Sequence, residues 1–484
     1  MLAGLLVLAL ALRLRVGLNT SYLIHPDETS DYLEQGFRLA FGYGDLSWTY
    51  RDGLRNYLFP GMIAGVMRFA ALFGSRPDVY LNAVAVAMSL LSLAVVACAF
   101  VWGRRVGGTM AALVTGFVAA VWFELIYFAP HTLSETMAMD VLTLGACLCD
   151  DEDGPVADRR LWLGGAMLGL SCVFRIQIAP AVAAIGVWLL WRRGARTFWQ
   201  LFAGGAVPLI AAGLLDWTTY RYPFQSFFMN VWANLSGVSS HYGTQPLYYY
   251  ADLEAHYLGG MLAVLAVLAV IGGRRRPLLL LLALVIIGSH TLLGHKEYRF
   301  LAPALPFVVI AAGLGASRII ARLGNRSGRT SQVALVGTAL MLFAFASWAQ
   351  AIEGPFRREW SRGSGEIAAA RAIAAMSDVC GIAGYAIEAS ALAGMARYAH
   401  DVPVYVVSTP QRFPQDAVSF NVVIAADDNL PPPAGFSQAG CWSNGFNEAS
   451  FNTRMPHICV LIRPGPCRPG AVGDPDPDHV PGWF

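Results

Sequence analysis

The sequence predicts a polytopic α-helical membrane protein of about eleven transmembrane helices, followed by a small C-terminal α/β domain. Three observations predict it. Hydrophobic residues make up 56% and charged residues 14% of 484, and the mean hydropathy is +0.50, outside the range of soluble globular chains. Apolar runs of near membrane-crossing length recur as far as residue 349, and basic clusters fall in alternate loops between them.

The runs are 2–18, 79–102, 111–128, 135–149, 161–174, 178–191, 198–215, 257–272, 278–293, 300–316 and 333–349. With the N-terminus on the cytoplasmic side, Arg104 and Arg105, Arg159 and Arg160, Arg192, Arg193 and Arg196, Arg274 to Arg276, and Arg318, Arg322, Arg326 and Arg329 all face the cytoplasm. Counting 58–74, "LFPGMIAGVMRFAALFG", as a span would push Arg104 and Arg105 outward. It therefore reads as an interfacial or re-entrant helix within the first external loop, 19–78. Run 2–18 lacks a basic n-region and reads as an uncleaved anchor, with Arg13 and Arg15 either snorkelling or facing inward.

The division expected is a membrane domain over 1–353 and an extracytoplasmic domain over 354–484. In the second, 366–376 reads as a helix, and the β-branched runs 402–407, 422–425 and 458–462 as strands. Cys380, Cys441, Cys459 and Cys467 allow two disulfides in an oxidising compartment, with three pairings open. Cys98, Cys147, Cys149 and Cys172 lie in or near spans, as small buried hydrophobes.

A net charge of +2 carries no nucleic-acid signal, and no P-loop, Gly-rich nucleotide loop or zinc spacing is present. Without a cytoplasmic domain to bind a nucleotide sugar, an activated substrate has to arrive through the membrane, which points to a lipid-phosphate donor. The outward loops hold the charged candidates. "HPDETSDYLEQG" puts His25, Asp27, Glu28, Asp31 and Glu34 directly behind the first run, as a dipole-complementing helix start or as a site. "APHTLSE" adds His131 and Glu135. "GHKEYRFLAP" packs His295, Lys296, Glu297 and Arg299 between two runs, suited to an anionic head group or to bridging itself. Arg175 of "FRIQIAP" reaches a lipid phosphate or snorkels. "HYGTQPLYYY" offers His241 and four tyrosines, for sugar or for the interfacial belt.

Taken together, "HPDE", "FGYGDLSWTYRDGLRNYLFP", "SSHYGTQPLYYY" and "HKEYRFLAPALPF" resemble, in order, the motifs of glycosyltransferase family 22, the dolichyl-phosphate-mannose-dependent α-mannosyltransferases of GT-C fold. The resemblance covers residues 1 to about 315. Two positions depart from the family pattern: Thr49 stands where an acid usually sits between two aromatics, and Asn56 follows Arg55 where a serine is usual.

The resemblance implies Asp27 as catalytic base, with Glu28 its close second, inversion at the anomeric centre, and no required metal or other cofactor. General-base chemistry agrees, since a carboxylate must deprotonate the acceptor hydroxyl as it attacks. Lys296, Arg299, His295 and Arg175 are then the donor-phosphate residues, and His25, Glu34, Trp48, Arg55, His241, Tyr242 and Tyr249 contact sugar or acceptor. The expected partners are a lipid-linked sugar donor, a glycan or glycolipid acceptor and membrane lipids, with no nucleic acid. Short loops and an Ala/Gly/Arg-rich composition suggest a bacterial plasma membrane with the site facing the periplasm; an endoplasmic reticulum membrane with a luminal site is topologically equivalent. Two rival classes are a lipid-linked-sugar flippase, and a metal-dependent oligosaccharide transferase using His25, Asp27, Glu28 and Glu135.

Overall fold

The computed structural model describes residues 1–150, 154, 156–324, 329–385, 394–407, 417–426, 432–445 and 456–468; Arg326 lies outside them. The chain forms two compact units. One gathers Met1–Leu18, Gly53–Leu58 and Ala85–Phe356, the other Asn19–Asp52, Phe59–Val84 and Arg357–Phe484.

The apolar runs fold as helices. Leu2–Gly17, Ser134–Cys149, Asp158–Phe174, Ala179–Arg193 and Pro277–Thr291 are each 17 residues or fewer. Pro77–Val121 takes in two expected runs and breaks at Gly107 and Gly108, where the backbone leaves helical geometry at φ −148° and +69°. Among the described residues, four helices are long and apolar enough to cross a membrane: Pro77–Val121, Ala195–Thr219, Tyr298–Gly324 and Val333–Ile352. The pair Tyr249–Leu258 and Gly260–Gly273, bent by 108°, makes a fifth if counted as one broken span. The remaining runs fall short of the ~20 residues that a straight crossing needs.

Small residues set the helix packing. A Cβ on Gly165 would run into the Leu201 carbonyl, and one on Gly169 into that of Gly205, so Asp158–Phe174 and Ala195–Thr219 meet backbone to backbone. Gly272 against Ala311 and Gly315 against Leu268 join Gly260–Gly273 to the helix Leu305–Gly324 in the same way. Where lipid supplies no hydrophobic drive, this close approach is the source of attraction. Arg13 faces inward and is fully buried. Its Nε donates to Ser92 Oγ (2.8 Å) and its Nη1 to the Ala9 and Ala120 carbonyls (3.2 Å each).

The second unit carries a five-stranded sheet of β1 (Ile382–Tyr385), β2 (Val404–Val407), β3 (Val422–Ala425), β4 (Ser437–Ser443) and β5 (His457–Ile462), in the order β2-β1-β3-β5-β4. β1 pairs in parallel with β2 and β3, while β5 runs antiparallel to β3 and β4. Tyr385, Tyr405, Phe420, Val423 and Leu461 form its core. The disulfides are Cys380–Cys467 and Cys441–Cys459, the second joining register partners on β4 and β5. The helix Ser364–Ala374 and strands β2, β3 and β5 fall on the runs read from sequence. β1 and β4 do not, because "IAGY" and "SQAGCWS" are too short or too polar to signal a strand.

The same unit holds the segment behind the first helix. Leu23 N–H donates to the Arg362 carbonyl (2.8 Å), Arg362 Nη1 to the Ile24 carbonyl (2.5 Å), and Tyr80 OH to the Ala396 carbonyl (2.7 Å). Leu58–Ala71 is a helix of 14 residues that buries Ile63, Met67 and Ala70 and exposes Met62 and Phe69.

Replacing Gly315 by Val is expected to cost about 1–3 kcal/mol by forcing two backbones apart, read as a lower melting temperature in detergent. Gly337→Val serves as the control, since Gly337 has nothing within 4 Å of its Cβ position. Equal losses in the two variants would contradict the close-packing account.

Candidate functional site

In the second unit, Pro26 opens a helical segment whose first turn is wide. Glu28–Leu33 is a π-helix, with Glu34 N–H donating to the Thr29 carbonyl five residues back, and it runs into the helix Glu34–Phe41. Such turns recur at functional sites. The acids of the motif have different surroundings. Glu28 (3% exposed) accepts the Ile24 N–H on Oε2 at 3.3 Å. Asp31 (3%) accepts Ser47 Oγ at 2.5 Å and Thr49 Oγ1 at 3.0 Å. Glu34 (0%) accepts the Asp45 N–H on one oxygen and the Ala396 N–H on the other, both at 3.0 Å. The Asp27 side chain keeps 25% exposure, its Oδ1 lying 3.1 Å from Nδ1 of His25, itself 24% exposed.

Trp48 is half-buried at the start of the one-turn helix Trp48–Arg51, which the Asp31–Thr49 bond ties to the acidic segment. Sequence reasoning missed this tie, although its signal was present at the first departure from the family pattern. A carboxylate at position 49 would stand against Asp31, whereas threonine donates to it.

In the first unit, the loop 53–58 is fixed from three sides. Asn56 Nδ2 donates to Asp216 Oδ1 (2.6 Å) and to the Ala212 carbonyl (3.0 Å), while its Oδ1 accepts the Leu58 N–H (2.9 Å). Asp216, fully buried, also accepts the N–H and hydroxyl of Ser226 (2.9 and 2.7 Å). Tyr220 OH donates to the carbonyl of Arg55 (2.7 Å). A serine at position 56 offers one donor, and asparagine makes all three bonds.

The cations of this unit converge. Glu135, in the first turn of Ser134–Cys149 and 0% exposed, meets Arg175 Nη1 at 3.0 Å and Arg299 Nη1 at 3.3 Å through the same oxygen. Arg299 Nε also bonds Glu297 Oε2 (2.5 Å), and His295 Nε2 lies 2.7 Å from Glu297 Oε1. Both arginines lie over the Phe300 ring, at 4.7 and 5.3 Å. Burial alone would lower the His295 pKa, but hydrogen bonding and charge from Glu297, with the Gly243 carbonyl, more than offset it and raise it.

Lys296, 4% exposed, differs from the arginines. Its Nζ donates to the carbonyls of Gln245 (2.8 Å) and Leu293 (2.5 Å) and meets no carboxylate among the described residues, which leaves one donor and the full charge uncompensated. Two stretches read separately in the sequence are thus joined. Gln245 N–H also donates to the Gly294 carbonyl (2.9 Å), His295 Nδ1 lies 2.9 Å from the Gly243 carbonyl, and the Tyr242 ring is centred 6.2 Å from that of His295. His241 is exposed, and Tyr249 packs beside Tyr250 with ring centroids 5.5 Å apart. Among the described residues, no three His, Cys, Asp or Glu side chains are grouped as metal ligands would be.

Solved structures define the class. ArnT from Cupriavidus metallidurans superposes at a TM-score of 0.60 in its undecaprenyl-phosphate-bound form (12% identical, covering 97% of this chain and 98% of that one) and at 0.61 in its apo state (15% identical, 95% and 97%). The architecture is the GT-C membrane fold. Within that class, the chain belongs to the Alg9-like mannosyltransferase family, whose model matches residues 5–353. Similar curated proteins include GPI mannosyltransferase 3 of Yarrowia lipolytica, 28% identical over 313 residues (63% of this chain, 61% of that protein). Mannosyltransferase APTG1 of Arabidopsis thaliana is 26% identical over 329 residues (63% and 57%). The chain thus spans about 60% of the length of these relatives.

Burial dominates at Glu34 and raises its pKa from 4.5 to about 7, against the opposing hydrogen bonds from the Ala396 and Asp45 amides. A raised carboxyl pKa favours the folded state in full below 4.5, and that contribution is lost as pH rises through about 7. Melting curves are expected to show about 3 kcal/mol less stability above pH 8 than below pH 4.5 from this group, with the slope flattened in Glu34→Gln. An unchanged slope would place the ionisation elsewhere.

Proposed function

We propose that the protein is an inverting membrane glycosyltransferase that moves a hexose, mannose by its family, from a polyprenyl-phosphate donor to a glycan or glycolipid acceptor. One observation carries the reading. Of the four carboxylates in the acidic motif, Glu28, Asp31 and Glu34 are buried on partners of their own unit, and Asp27 alone keeps a partly exposed carboxylate. In the proposed mechanism Asp27 accepts the proton of the acceptor hydroxyl while that oxygen bonds to the anomeric carbon. The bond from that carbon to the phosphate oxygen breaks, and the lipid phosphate leaves with the electron pair. Glu28, held inward, is a neighbour that shapes the turn.

Lys296, with its uncompensated charge, is proposed to meet the donor phosphate directly, backed by Arg299, Arg175 and His295. Three permanent cations against Glu135 and Glu297 leave this group net positive before any phosphate arrives. His25, Glu34, Trp48, Arg55, His241, Tyr242 and Tyr249 are proposed around sugar and acceptor, Glu34 acting through the shape it holds rather than by contact. The relatives' names motivate a glycolipid acceptor.

The eleven-run topology, with the acidic loop and residues 354–484 outside the cytoplasm, remains part of this proposal. Two disulfides among residues 380–467 and four free cysteines in the helices support that orientation. The exposed Met62 and Phe69 of Leu58–Ala71 suit an interfacial helix. Composition favours a bacterial plasma membrane.

The test uses purified full-length protein, polyprenyl-phosphate mannose and a panel of acceptors, with and without chelator. Asp27→Asn is expected to lower turnover by about 10²–10⁴-fold while donor binding persists, and Lys296→Gln to weaken donor binding. Lipid crossing the bilayer without sugar transfer would favour a flippase, and turnover abolished by chelation would favour a metal-dependent transferase.

A further inference from the structure

The backbone leading to the proposed base has no repeating structure of its own. Thr20 to His25 belong to no helix or strand, yet Tyr22, Leu23 and Ile24 are 3%, 5% and 1% exposed. A buried irregular backbone has to find its hydrogen-bond partners elsewhere, and those partners decide its path. Here they come from Arg362 and Arg371. Leu23 N–H donates to the Arg362 carbonyl (2.8 Å), the Arg362 guanidinium returns a bond from Nη1 to the Ile24 carbonyl (2.5 Å), and Arg371 Nη2 donates to the Thr20 carbonyl (3.0 Å). Ile24 N–H turns the other way, onto Glu28 Oε2 (3.3 Å).

The residues that hold this segment are themselves anchored. Glu359 Oε2 lies 3.7 Å from Arg362 Nε. Gly363, at φ +67°, leaves room for the Leu23 side chain, whose carbons would stand 3.1 Å from a Cβ there. Gly363 N–H donates to the Asn444 carbonyl (2.9 Å), while the buried Asn444 side chain accepts the Glu366 N–H on Oδ1 (3.2 Å) and donates from Nδ2 to Glu366 Oε1 (3.0 Å). Asn444 follows β4 directly, and Cys441–Cys459 joins β4 to β5. On the far side of Asp27, Glu34 is held by the Ala396 N–H (3.0 Å). Asp27 thus stands between two points, Ile24 and Glu34, each fixed by residues from beyond position 353.

We propose that Arg362 is a positioning residue for sugar transfer: anchored on β4 through Gly363 and Asn444, it sets the backbone from Leu23 to His25 so that the Asp27 carboxylate stands where the acceptor hydroxyl arrives. The inference rests on Asp27 as the base, and it gives the C-terminal residues a part in the reaction. A base has to lie within hydrogen-bond reach of the proton it takes, and a displacement of about 1 Å costs on the order of 10²-fold in rate. The bond from Leu23 to the Arg362 carbonyl survives any side-chain change at 362, whereas the bond to the Ile24 carbonyl does not. Arg362→Gln therefore loosens the segment without detaching it.

The experiment compares purified full-length wild type, Arg362→Gln, Arg362→Lys, Asp27→Asn and the double variant Asp27→Asn with Arg362→Gln, by hydrogen–deuterium exchange and by mannose transfer from polyprenyl-phosphate mannose to the acceptor panel. Arg362→Gln is expected to speed exchange of the amides at 23–28 while β3 and β5 keep their protection, and to lower kcat about 10–100-fold with the donor KM unchanged. Arg362→Lys, which keeps a donor long enough for the Ile24 carbonyl, should recover part of both; it carries the comparison if Arg362→Gln also loses protection in β3 and β5. In the Asp27→Asn background the change at 362 should cost nothing further, because the two residues act as one unit. Wild-type exchange at 23–28 in both Arg362 variants overturns the proposal, as does loosened exchange with wild-type kcat, or a full further loss in the double variant. Wild-type turnover in Asp27→Asn overturns the base reading and with it the role given to Arg362. Exchange at 23–28, read without turnover, tells that failure from a failed hold.

Discussion

The cost of placing a charge away from water is the constraint on which the rest of this molecule depends. An unpaired charge in an apolar interior costs far more than any single hydrogen bond returns, so each buried ionic group must be met by other groups of the chain. Arg13 is met by Ser92 and two carbonyls. Asp216 is met by Asn56 and Ser226, and Asp150 by two arginines and an indole. These groups hold helices and loops in place because they have no solvent alternative.

The same rule sorts the ionic residues nearest the proposed chemistry. Glu28, Asp31 and Glu34 share one short motif with Asp27, yet each has been drawn into its own unit to satisfy a backbone amide or a hydroxyl. Buried in this way, none of the three is open to an incoming hydroxyl, even though burial makes Glu34 the stronger base. Among the cations, Arg175 and Arg299 hold Glu135 while Lys296 is stabilised by carbonyl dipoles alone, which orient an ammonium without cancelling its charge. The proposed role of Lys296 therefore rests on a charge that no carboxylate among the described residues meets, and that of Asp27 on a side chain that stays partly exposed beside His25.

Much of this was legible in the sequence, and the failures have physical causes. Hydrophobic runs marked the helices because burial writes itself into composition, and β-branched runs marked β2, β3 and β5 for the same reason. Span number was less legible. A run of 14 to 17 apolar residues is compatible with a tilted crossing, a broken one or a helix packed within the protein, and composition alone does not separate them. The identity of the charged residues was visible, but their partners were not: Asp31 with Thr49, and Asn56 with Asp216, lie 18 and 160 residues apart.

Those two pairs also show how a departure from a family pattern can be read physically. Position 49 carries a hydroxyl where an acid is usual, and that hydroxyl is a donor to Asp31; position 56 carries an amide where a hydroxyl is usual, and that amide bridges to Asp216. In both cases the unusual residue supplies a donor to a buried carboxylate that would otherwise lose one of its partners. The departures fall on residues that hold the loops in shape, and they leave Asp27 and Lys296 untouched. A change in the support around a site alters which acceptor fits, whereas a change in the reacting groups alters whether transfer occurs at all. On this reasoning, and with the roles proposed for Asp27 and Lys296, the residues at 49 and 56 bear on the proposed acceptor and are neutral toward the proposed transfer.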